Sequence, residues 1–342
     1  MELTTLGVVP VSRIIYGTRR VGEEHLPLLE QAVDRGINAF DVALHYNKGQ
    51  AIRTVASLLK GRRDAVAVLG KVATHRPGDA TVDMSPTALR AELDAQLSVL
   101  RTDYIDILQV HYPDPAADYD RVAGLLDSWR DAGLIREVGL SNFDRRELER
   151  WPADFPGVSL QLPYSLLQRA QVEAVRDVVA GRGLKLLPYM PLFDGVLVRG
   201  IGERPQGVEH ALPEGAPAFL AALREATAQA GVEPGVACLA WLLRDALVAA
   251  PLVGMTSARS LEAALAAPAA AGGLPDLLGQ LPSLPEPVLP MPAKVETVLR
   301  QAAAESLCVL AVGALRVTVW VPGAPKPGAE LTLDGLSGKP LA

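Results

Sequence analysis

The sequence predicts an α/β fold in which eight strands alternate with helices along residues 1–267. Short apolar runs of strand length recur through this part of the chain, and segments with the 3.6-residue periodicity of amphipathic helices separate them. Gly36 and Gly133 follow two of these segments, where a helix is expected to end. Strands that alternate with helices in this way run parallel and are joined by right-handed crossovers. Eight such units favour a closed (β/α)8 TIM barrel over an open sheet.

Each element can be placed from these patterns. A short hairpin is predicted over 3–11, and an irregular stretch over 193–213. Ser85 followed by Pro86 marks the start of the third helix, because serine caps helix N-termini and proline fits the first turn. The predicted strands are 12–18, 39–43, 66–72, 105–111, 135–140, 158–162, 184–189 and 249–253. The predicted helices are 23–34, 50–60, 85–100, 119–132, a short one after Asp144, 170–180, 216–230, 234–244 and 258–266.

Residues 268–342 are predicted to form an atypical C-terminal extension packed on the barrel. Its first part, up to Pro292, is rich in Ala, Gly and Pro, and a helix is predicted over 295–306. Residues 315–321 alternate polar and apolar side chains, which is typical of a half-buried strand. A turn would return the chain as 330–333 and complete a β-hairpin. We assign no function to this extension.

Composition and charge exclude several classes of partner. The formal net charge is −6 and no basic run is present, which argues against a nucleic-acid partner. Cys238 and Cys308 lie in apolar stretches and form no disulfide or metal framework. The longest apolar run, 307–315, is too short to cross a bilayer as a helix, and residues 1–10 lack the features of a signal peptide. We therefore expect a cytoplasmic protein without a membrane partner.

Four polar side chains lie at or just past the ends of three predicted strands. They are Asp41, Tyr46, Lys71 and His111. In a TIM barrel the carboxyl ends of the strands form the active face, so these side chains are expected to meet there. A carbonyl that accepts hydride at carbon must gain a proton at oxygen, and a tyrosine with its usual pKa of about 10 needs tuning for this role.

The chemistry of each member of this tetrad follows from its type. Lys71 is expected to lower the pKa of Tyr46 by stabilising the phenolate, and Asp41 to hold Lys71 charged and oriented. His111 is expected to hydrogen-bond the carbonyl oxygen. A proton donor tuned in this way contributes roughly 10²–10⁴-fold to the rate. The tetrad therefore predicts a catalytic site for reduction of a carbonyl group.

Several motifs in order extend this interpretation. They are GINAFDVALHY at 36–46, LGK at 69–71, YIDILQVHYP at 104–113, GLIREVGLSNF at 133–143, YMPL at 189–192 and PLVGMTS at 251–257. With these motifs the chain resembles the aldo-keto reductase superfamily over residues 3–266. The resemblance implies an NADP-dependent oxidoreductase that reduces an aldehyde or ketone to an alcohol, with Tyr46 as the general acid.

The resemblance also implies a cofactor site. Tyr189 would stack on the nicotinamide, and the segment 192–197 would contact the pyrophosphate through its backbone. Arg259, at the start of the last helix, is the candidate for the 2′-phosphate that distinguishes NADP from NAD. The implied cofactor-binding set is Gly17, Thr18, Ser141, Asn142, Gln161, Tyr189, Pro191, Leu192, Gly254, Thr256, Ser257 and Arg259.

Two departures from the family pattern bear on specificity. Ala264 stands where an asparagine or similar polar group usually meets the adenine, which leaves the preference between NADP and NAD open. Arg19 stands where the family often has an apolar or aromatic pocket residue. A cation at that position favours a small-molecule carbonyl substrate that is anionic or strongly polar, unless the side chain points outward.

Alternative functions remain open at this point. A metal-dependent hydrolase is disfavoured because the five histidines include no His-x-His pair, so no metal site is predicted. The glycine fingerprint of dinucleotide-binding sheets and the phosphate-binding P-loop are also absent. A non-catalytic or regulatory NADP-binding subunit could use the same fold, and a dehydratase or isomerase could reuse the tetrad. No particular oligomeric state is indicated.

Overall fold

The centre of the molecule is a parallel eight-stranded sheet that closes into a barrel. The structure is a computed structural model. It describes residues 1–74, 82–114, 116–155, 157–200, 212, 215–273, 281, 290–301, 305–312 and 315–334. The strands are β1 (Leu3–Leu6), β2 (Val9–Ser12), β3 (Ile15–Gly17), β4 (Ala39–Asp41), β5 (Ala67–Val72), β6 (Ile105–Val110), β7 (Ile135–Ser141), β8 (Ser159–Pro163), β9 (Lys185–Tyr189), β10 (Leu252–Gly254), β11 (Pro290–Gln301), β12 (Glu305–Val312), β13 (Leu315–Pro322) and β14 (Glu330–Asp334).

Helices follow the barrel strands along the chain, as the alternating pattern predicts. They are α1 (Leu26–Asp34), α2 (Gln50–Leu59), α3 (Pro86–Leu100), α4 (Tyr119–Asp131), α5 (Arg145–Arg150), α6 (Ala170–Glu173), α7 (Arg176–Gly181), α8 (Val196–Arg199), α9 (Ala216–Gln229), α10 (Pro234–Leu243) and α11 (Ala258–Gly273). Ser85 caps α3 as predicted, because its side chain accepts a hydrogen bond from the Ala88 amide at 3.3 Å. The predicted helix over 170–180 is divided into α6 and α7.

The order of the strands shows how the barrel closes. The sheet runs β10-β3-β4-β5-β6-β7-β8-β9, and the hydrogen-bonded neighbours are parallel. Between the two ends of this order, Leu186 of β9 forms a parallel bridge with Val248. The Leu186 amide donates to the Leu247 carbonyl at 2.8 Å, and the Ala249 amide donates to the Leu186 carbonyl at 3.0 Å. The predicted TIM barrel is confirmed, and β1 and β2 form the predicted hairpin before it.

The C-terminal extension differs from the prediction. The sequence predicts a helix over 295–306, but residues 295–301 belong to β11 and residues 305–306 to β12, and these strands pair antiparallel. Residues 302–304 lie outside the described residues. Irregularities in the register of β11 occur between Val295 and Thr297 and again between Val298 and Arg300. An extra residue at such a bulge changes the alternation of faces. Val295 and Val298 therefore pack in one small apolar cluster although they are three residues apart, the spacing typical of a helix.

The predicted hairpin of the extension is also wrong in its pairing. Strands form over both of its halves, as β13 and β14, but the sheet order is β13-β12-β11-β14. β13 pairs with β12, and β14 pairs with β11. Strand pairing between segments distant in sequence depends on tertiary contacts that a local pattern does not contain. The predicted boundary between barrel and extension, at residues 267 and 268, lies within α11, which continues through Pro268 to Gly273. This boundary and the packing of the extension on the barrel stay predictions.

Some predicted segments lie partly outside the described residues. Of the irregular stretch 193–213, the structure describes 193–200 and 212. Of the Ala/Gly/Pro-rich stretch, residues 274–280 and 282–289 lie outside the described residues. Within the residues that are described, none of the helices is both long enough and apolar enough to span a membrane.

Candidate active site

The tetrad is assembled at the carboxyl ends of three adjacent barrel strands. Asp41 is the last residue of β4, Lys71 lies near the end of β5, and His111 directly follows β6. Tyr46 opens a short 3-10 turn that follows β4. Parallel strands present their carboxyl ends on the same face of a barrel, so residues from different units meet. The predicted placement of all four residues is therefore confirmed.

A buried ion pair forms the base of the site. Lys71 Nζ contacts Asp41 Oδ1, and the side chains of both residues are buried. The same carboxylate oxygen accepts a hydrogen bond from Gln161 Nε2 at 2.8 Å and a longer one from Gln109 Nε2 at 3.5 Å. Donors from β5, β6 and β8 thus hold one carboxylate oxygen in place. A buried charge is tolerated only with such compensation.

The backbone of Lys71 is held by a glutamine from the helix that follows its strand. Gln96 of α3 accepts a hydrogen bond from the Lys71 amide at 2.9 Å and donates to the Lys71 carbonyl at 2.7 Å. A Cβ at Gly70 would lie 2.7 Å from Gln96 Oε1, so the glycine leaves room for this contact. Gln96 was not among the predicted site residues, because its helical position resembles any other polar position in α3.

Tyr46 lies between the lysine and the histidine. Its ring centroid is 5.3 Å from Lys71 Nζ and 6.5 Å from the centroid of His111, and the two rings are nearly perpendicular at 80°. His111 in turn stacks on Tyr112 at 4.3 Å. The Tyr46 ring is half-buried, and it lines the same cavity as the imidazole. A carbonyl oxygen placed in this cavity could approach both groups.

The electrostatics of Tyr46 correct one prediction. Burial and then the charge of Asp41 raise the pKa of Tyr46 well above its usual value, and Arg19 opposes this by lowering it. The sequence predicts that Lys71 lowers the pKa of Tyr46. This prediction is wrong, because the net effect of the surroundings is to raise that pKa. Burial likewise lowers the pKa of Lys71, while Asp41 raises it.

Asn142 links the tetrad to the predicted nicotinamide site. Its Nδ2 donates to the His111 carbonyl at 2.9 Å, and its Oδ1 accepts from the Tyr189 hydroxyl at 2.9 Å. The backbone amide of Asn142 donates to the backbone carbonyl of Gln161 at 2.9 Å. Asn142 adopts a φ of 61°, a left-handed conformation that asparagine tolerates better than most residues. One side chain thus fixes both a histidine backbone and a tyrosine ring.

A cavity of about 670 Å³ contains nearly every predicted site residue. Lys71 is the exception, since it lies buried beneath the lining. The predicted residues that line the cavity are Gly17, Thr18, Asp41, Tyr46, His111, Ser141, Asn142, Gln161, Tyr189, Pro191, Leu192, Gly254, Thr256, Ser257 and Arg259. Arg19 is exposed, and it lines the cavity as well. Ala264 is wholly buried, whereas its neighbour Ala263 lines the cavity.

Two further ion pairs include residues that line the cavity, and neither is predicted from the sequence. Arg20 pairs with Asp194 at 3.2 Å, and Arg259 pairs with Glu233 at 3.2 Å. Glu233 directly precedes Pro234, a signal that places it at the start of a helix. No sequence signal placed that helix start beside Arg259. Within the described part of the chain, no group of three His, Cys, Asp or Glu residues could hold a metal ion.

Comparison with known proteins connects this geometry to a family. The sequence profile of the Aldo/keto reductase family matches residues 13–271, which include the whole tetrad. The chain belongs to the aldo/keto reductase family. The family assignment agrees with the barrel and with the order of the six motifs.

Relatives within the family are distant. The aldo-keto reductase YhdN of Bacillus subtilis (strain 168) is 31% identical over 211 residues, which cover 58% of this chain and 64% of that protein. The chain therefore spans slightly less than two thirds of that relative. The 6-dehydroglucose reductase of Novosphingobium aromaticivorans is 28% identical over 277 residues, 73% of this chain and 84% of the relative.

Solved structures of the family share the fold. Aldo-keto reductase AKR11C1 from Bacillus halodurans, in its holo form, matches with a TM-score of 0.66 at 26% identity, covering 78% of this chain and 90% of that one. An aldo/keto reductase from Klebsiella pneumoniae, solved in complex with NADP and acetate, matches with a TM-score of 0.63 at 22% identity, covering 77% and 87%. At this last identity the likeness concerns the fold alone.

Proposed function

We propose that this aldo/keto reductase is an NADP-dependent oxidoreductase that reduces an aldehyde or ketone to an alcohol, with Tyr46 as the general acid. One observation carries the proposal: Lys71 Nζ, which pairs with Asp41, lies 5.3 Å from the centroid of the Tyr46 ring, and this ring shares a cavity with His111. Carbonyl reduction requires a proton donor, a cation that stabilises the donor after it has lost its proton, and a hydrogen-bond donor to the carbonyl oxygen. Arg19, in the same cavity, suits a polar or anionic substituent on the substrate.

The protein supplies the proton and holds the reacting oxygen. At neutral pH Tyr46 is protonated, because its pKa lies above the usual value of 10.0. Its hydroxyl donates a proton to the carbonyl oxygen, while His111 hydrogen-bonds the same oxygen and orients it. Lys71 then stabilises the phenolate that forms, since a cation a few ångströms away favours the charged form. Asp41 keeps Lys71 in position for this step.

The cavity fits a nicotinamide dinucleotide, which supplies the hydride when bound. Gly17 and Gly254 pair on the neighbouring strands β3 and β10, and both line the cavity. The bare backbone here allows close approach of a ligand. Tyr189 offers a half-buried ring for stacking. The polar side chains for the carboxamide are Ser141, Asn142 and Gln161.

The phosphates have candidate partners at the other end of the cavity. Thr256 and Ser257 precede α11, and the start of this 16-residue helix favours anions. Arg259 is the candidate for the 2′-phosphate and hence for NADP over NAD. Its side chain is exposed, and Glu233 is its one acidic partner among the described residues, so it can turn toward a phosphate.

Substitution of Tyr46 by phenylalanine tests the proposal. Tyr46→Phe removes the hydroxyl and retains the ring, so turnover of a carbonyl substrate with NADPH is expected to fall roughly 10²–10⁴-fold. NADPH affinity, measured by quenching of intrinsic fluorescence, is expected to remain near that of the unaltered protein. Tyr112→Phe, the same change on a neighbouring cavity tyrosine, serves as the matched control.

The outcomes separate the alternatives. Full activity of Tyr46→Phe would reject Tyr46 as the acid. Tight NADPH binding by the unaltered protein, with no turnover of any carbonyl compound, would favour a regulatory subunit. Conversion of substrate without net NADPH consumption would favour a dehydratase or isomerase.

A further inference from the structure

Among the described residues Arg19 has no acidic partner, in contrast to Arg20 and Arg259, two of the other three arginines that line the cavity. Arg20 pairs with Asp194, and Arg259 pairs with Glu233. Arg199 donates to the Asp194 carbonyl at 3.3 Å. Among the residues that the structure describes, no carboxylate pairs with Arg19, although its side chain lines the cavity. The charge of this guanidinium is therefore available to a ligand.

Arg19 also lies at the reactive end of the cavity. It follows Gly17 and Thr18 at the end of β3, the strand adjacent to β4 and its terminal Asp41. Its positive charge lowers the pKa values of the phenols of Tyr46, Tyr112 and Tyr189. Arg19 lines the same cavity as these three tyrosines and His111, so its charge acts within the space where the substrate carbonyl must lie.

Asp41 already has a partner at this end, because it pairs with Lys71 and both side chains are buried. Its charge acts on Tyr46 more strongly than that of Arg19. Arg19, which pairs with no described carboxylate, supplies a cation to this end of the cavity. A guanidinium binds a carboxylate with two parallel hydrogen bonds, and this geometry orients the ligand as well as attracting it.

We propose that the physiological substrate of this enzyme is a carbonyl compound that carries a carboxylate, and that Arg19 binds that carboxylate while the carbonyl oxygen lies against Tyr46 and His111. The inference rests on the proposed function, since it takes the carbonyl position from the tetrad. It adds a specificity-determining residue and a substrate class to it. Arg19 takes no part in hydride or proton transfer.

A matched pair of aldehydes tests this inference. The probes are 4-carboxybenzaldehyde and its methyl ester, which share a ring and an aldehyde and differ in the negative charge. With NADPH, kcat/KM is expected to be about tenfold or more higher for the carboxylate. In Arg19→Gln this preference is expected to disappear, chiefly through KM of the carboxylate, with the ester unaffected. Arg121→Gln, which removes an exposed arginine of α4 outside the cavity, is expected to keep the preference.

Two further measurements separate failure of the inference from failure of the proposed function. Calorimetry of the product alcohol, 4-(hydroxymethyl)benzoate, with the NADP-loaded protein reports carboxylate binding without turnover, and Arg19→Gln is expected to weaken it about tenfold. Arg19-dependent binding without any aldehyde reduction would support the anion site and reject the reductase. Equal reduction of both aldehydes would overturn the inference and leave the reductase intact. Weakened NADPH binding in Arg19→Gln, with the substrate preference retained, would assign Arg19 to the cofactor and also overturn it.

Discussion

Two ion pairs at the cavity, Lys71–Asp41 and Arg259–Glu233, lie in opposite environments. In the Lys71–Asp41 pair the two side chains are 1% and 4% exposed, and further hydrogen bonds reach the carboxylate. In the Arg259–Glu233 pair the side chains are 77% and 51% exposed, and the N–O distance is 3.2 Å. The first pair lies under the reactive end, and the second lies at the proposed phosphate end.

Because of this difference in burial, Lys71–Asp41 is a permanent ion pair, whereas Arg259–Glu233 can exchange partners. If one member of a buried pair moved away, the charge of the other would be left buried without compensation. The pair therefore persists through a catalytic cycle. An exposed pair contributes little to stability, since water and salt screen it. Arg259 can therefore exchange Glu233 for a phosphate at small cost, whereas Lys71 has no such freedom.

The largest expected effect comes from breaking the buried pair. Lys71→Met leaves the Asp41 carboxylate buried without its cation, so the free energy of unfolding is expected to fall by about 3–5 kcal/mol. Turnover is expected to be lost as well. Chemical denaturation followed by circular dichroism measures the first effect.

A double variant shows whether the comparison is correct. Lys71→Met combined with Asp41→Asn removes both charges, so most of the stability is expected to return while turnover remains absent. If the single variant proves as stable as the unaltered protein, the pair is not the closed unit described above. The matched change at the exposed pair, Glu233→Gln, is expected to leave the free energy of unfolding within about 1 kcal/mol.

The pH profile gives an intermediate effect. Burial and Asp41 raise the pKa of Tyr46 above 10.0, so the proton donor stays protonated below that pH and is lost as the pH rises through the raised value. The alkaline limb of kcat/KM is therefore expected above pH 10.0. Asp41→Asn removes the anion that raises this pKa, and the limb is expected to move to lower pH in whatever activity remains.

Measurement of kcat/KM from neutral pH to about pH 11 tests this shift. Glu233→Gln is the control, because Glu233 is not among the groups that act on Tyr46, and its limb is expected to stay in place. A limb that moves in Glu233→Gln but not in Asp41→Asn would reverse the roles assigned to the two pairs.

The smallest effects concern the exposed pair. Arg259→Ala is expected to weaken NADPH binding about two- to fivefold and NADH binding less, because an exposed charge contact contributes up to about 1 kcal/mol. Glu233→Gln removes a competing anion and is expected to strengthen NADPH binding slightly. Fluorescence titrations at low and high salt measure both changes, which should diminish at high salt. Equal losses for the two nucleotides would remove the 2′-phosphate role of Arg259.

Sequence reasoning performed unequally in different parts of the molecule. It placed all eight barrel strands and the four members of the tetrad, because strand patterns and polar strand ends are local features. It did not find Gln96. This residue is 25 positions from Lys71 in the chain, and only the fold brings the two into contact. It also expected Lys71 to dominate the acidity of Tyr46, whereas burial and Asp41 do so.

By itself, the sequence determined the alternation of strands and helices, the family, and which chemical groups stand at the strand ends. These features depend on periodicity and on residue type at neighbouring positions. Only the tertiary structure decided which groups meet: Glu233 with Arg259, β14 with β11 rather than β13, and Arg19 with the phenols but with no described acid. Such contacts join distant segments, and their energies depend on burial and distance, which a linear pattern does not contain.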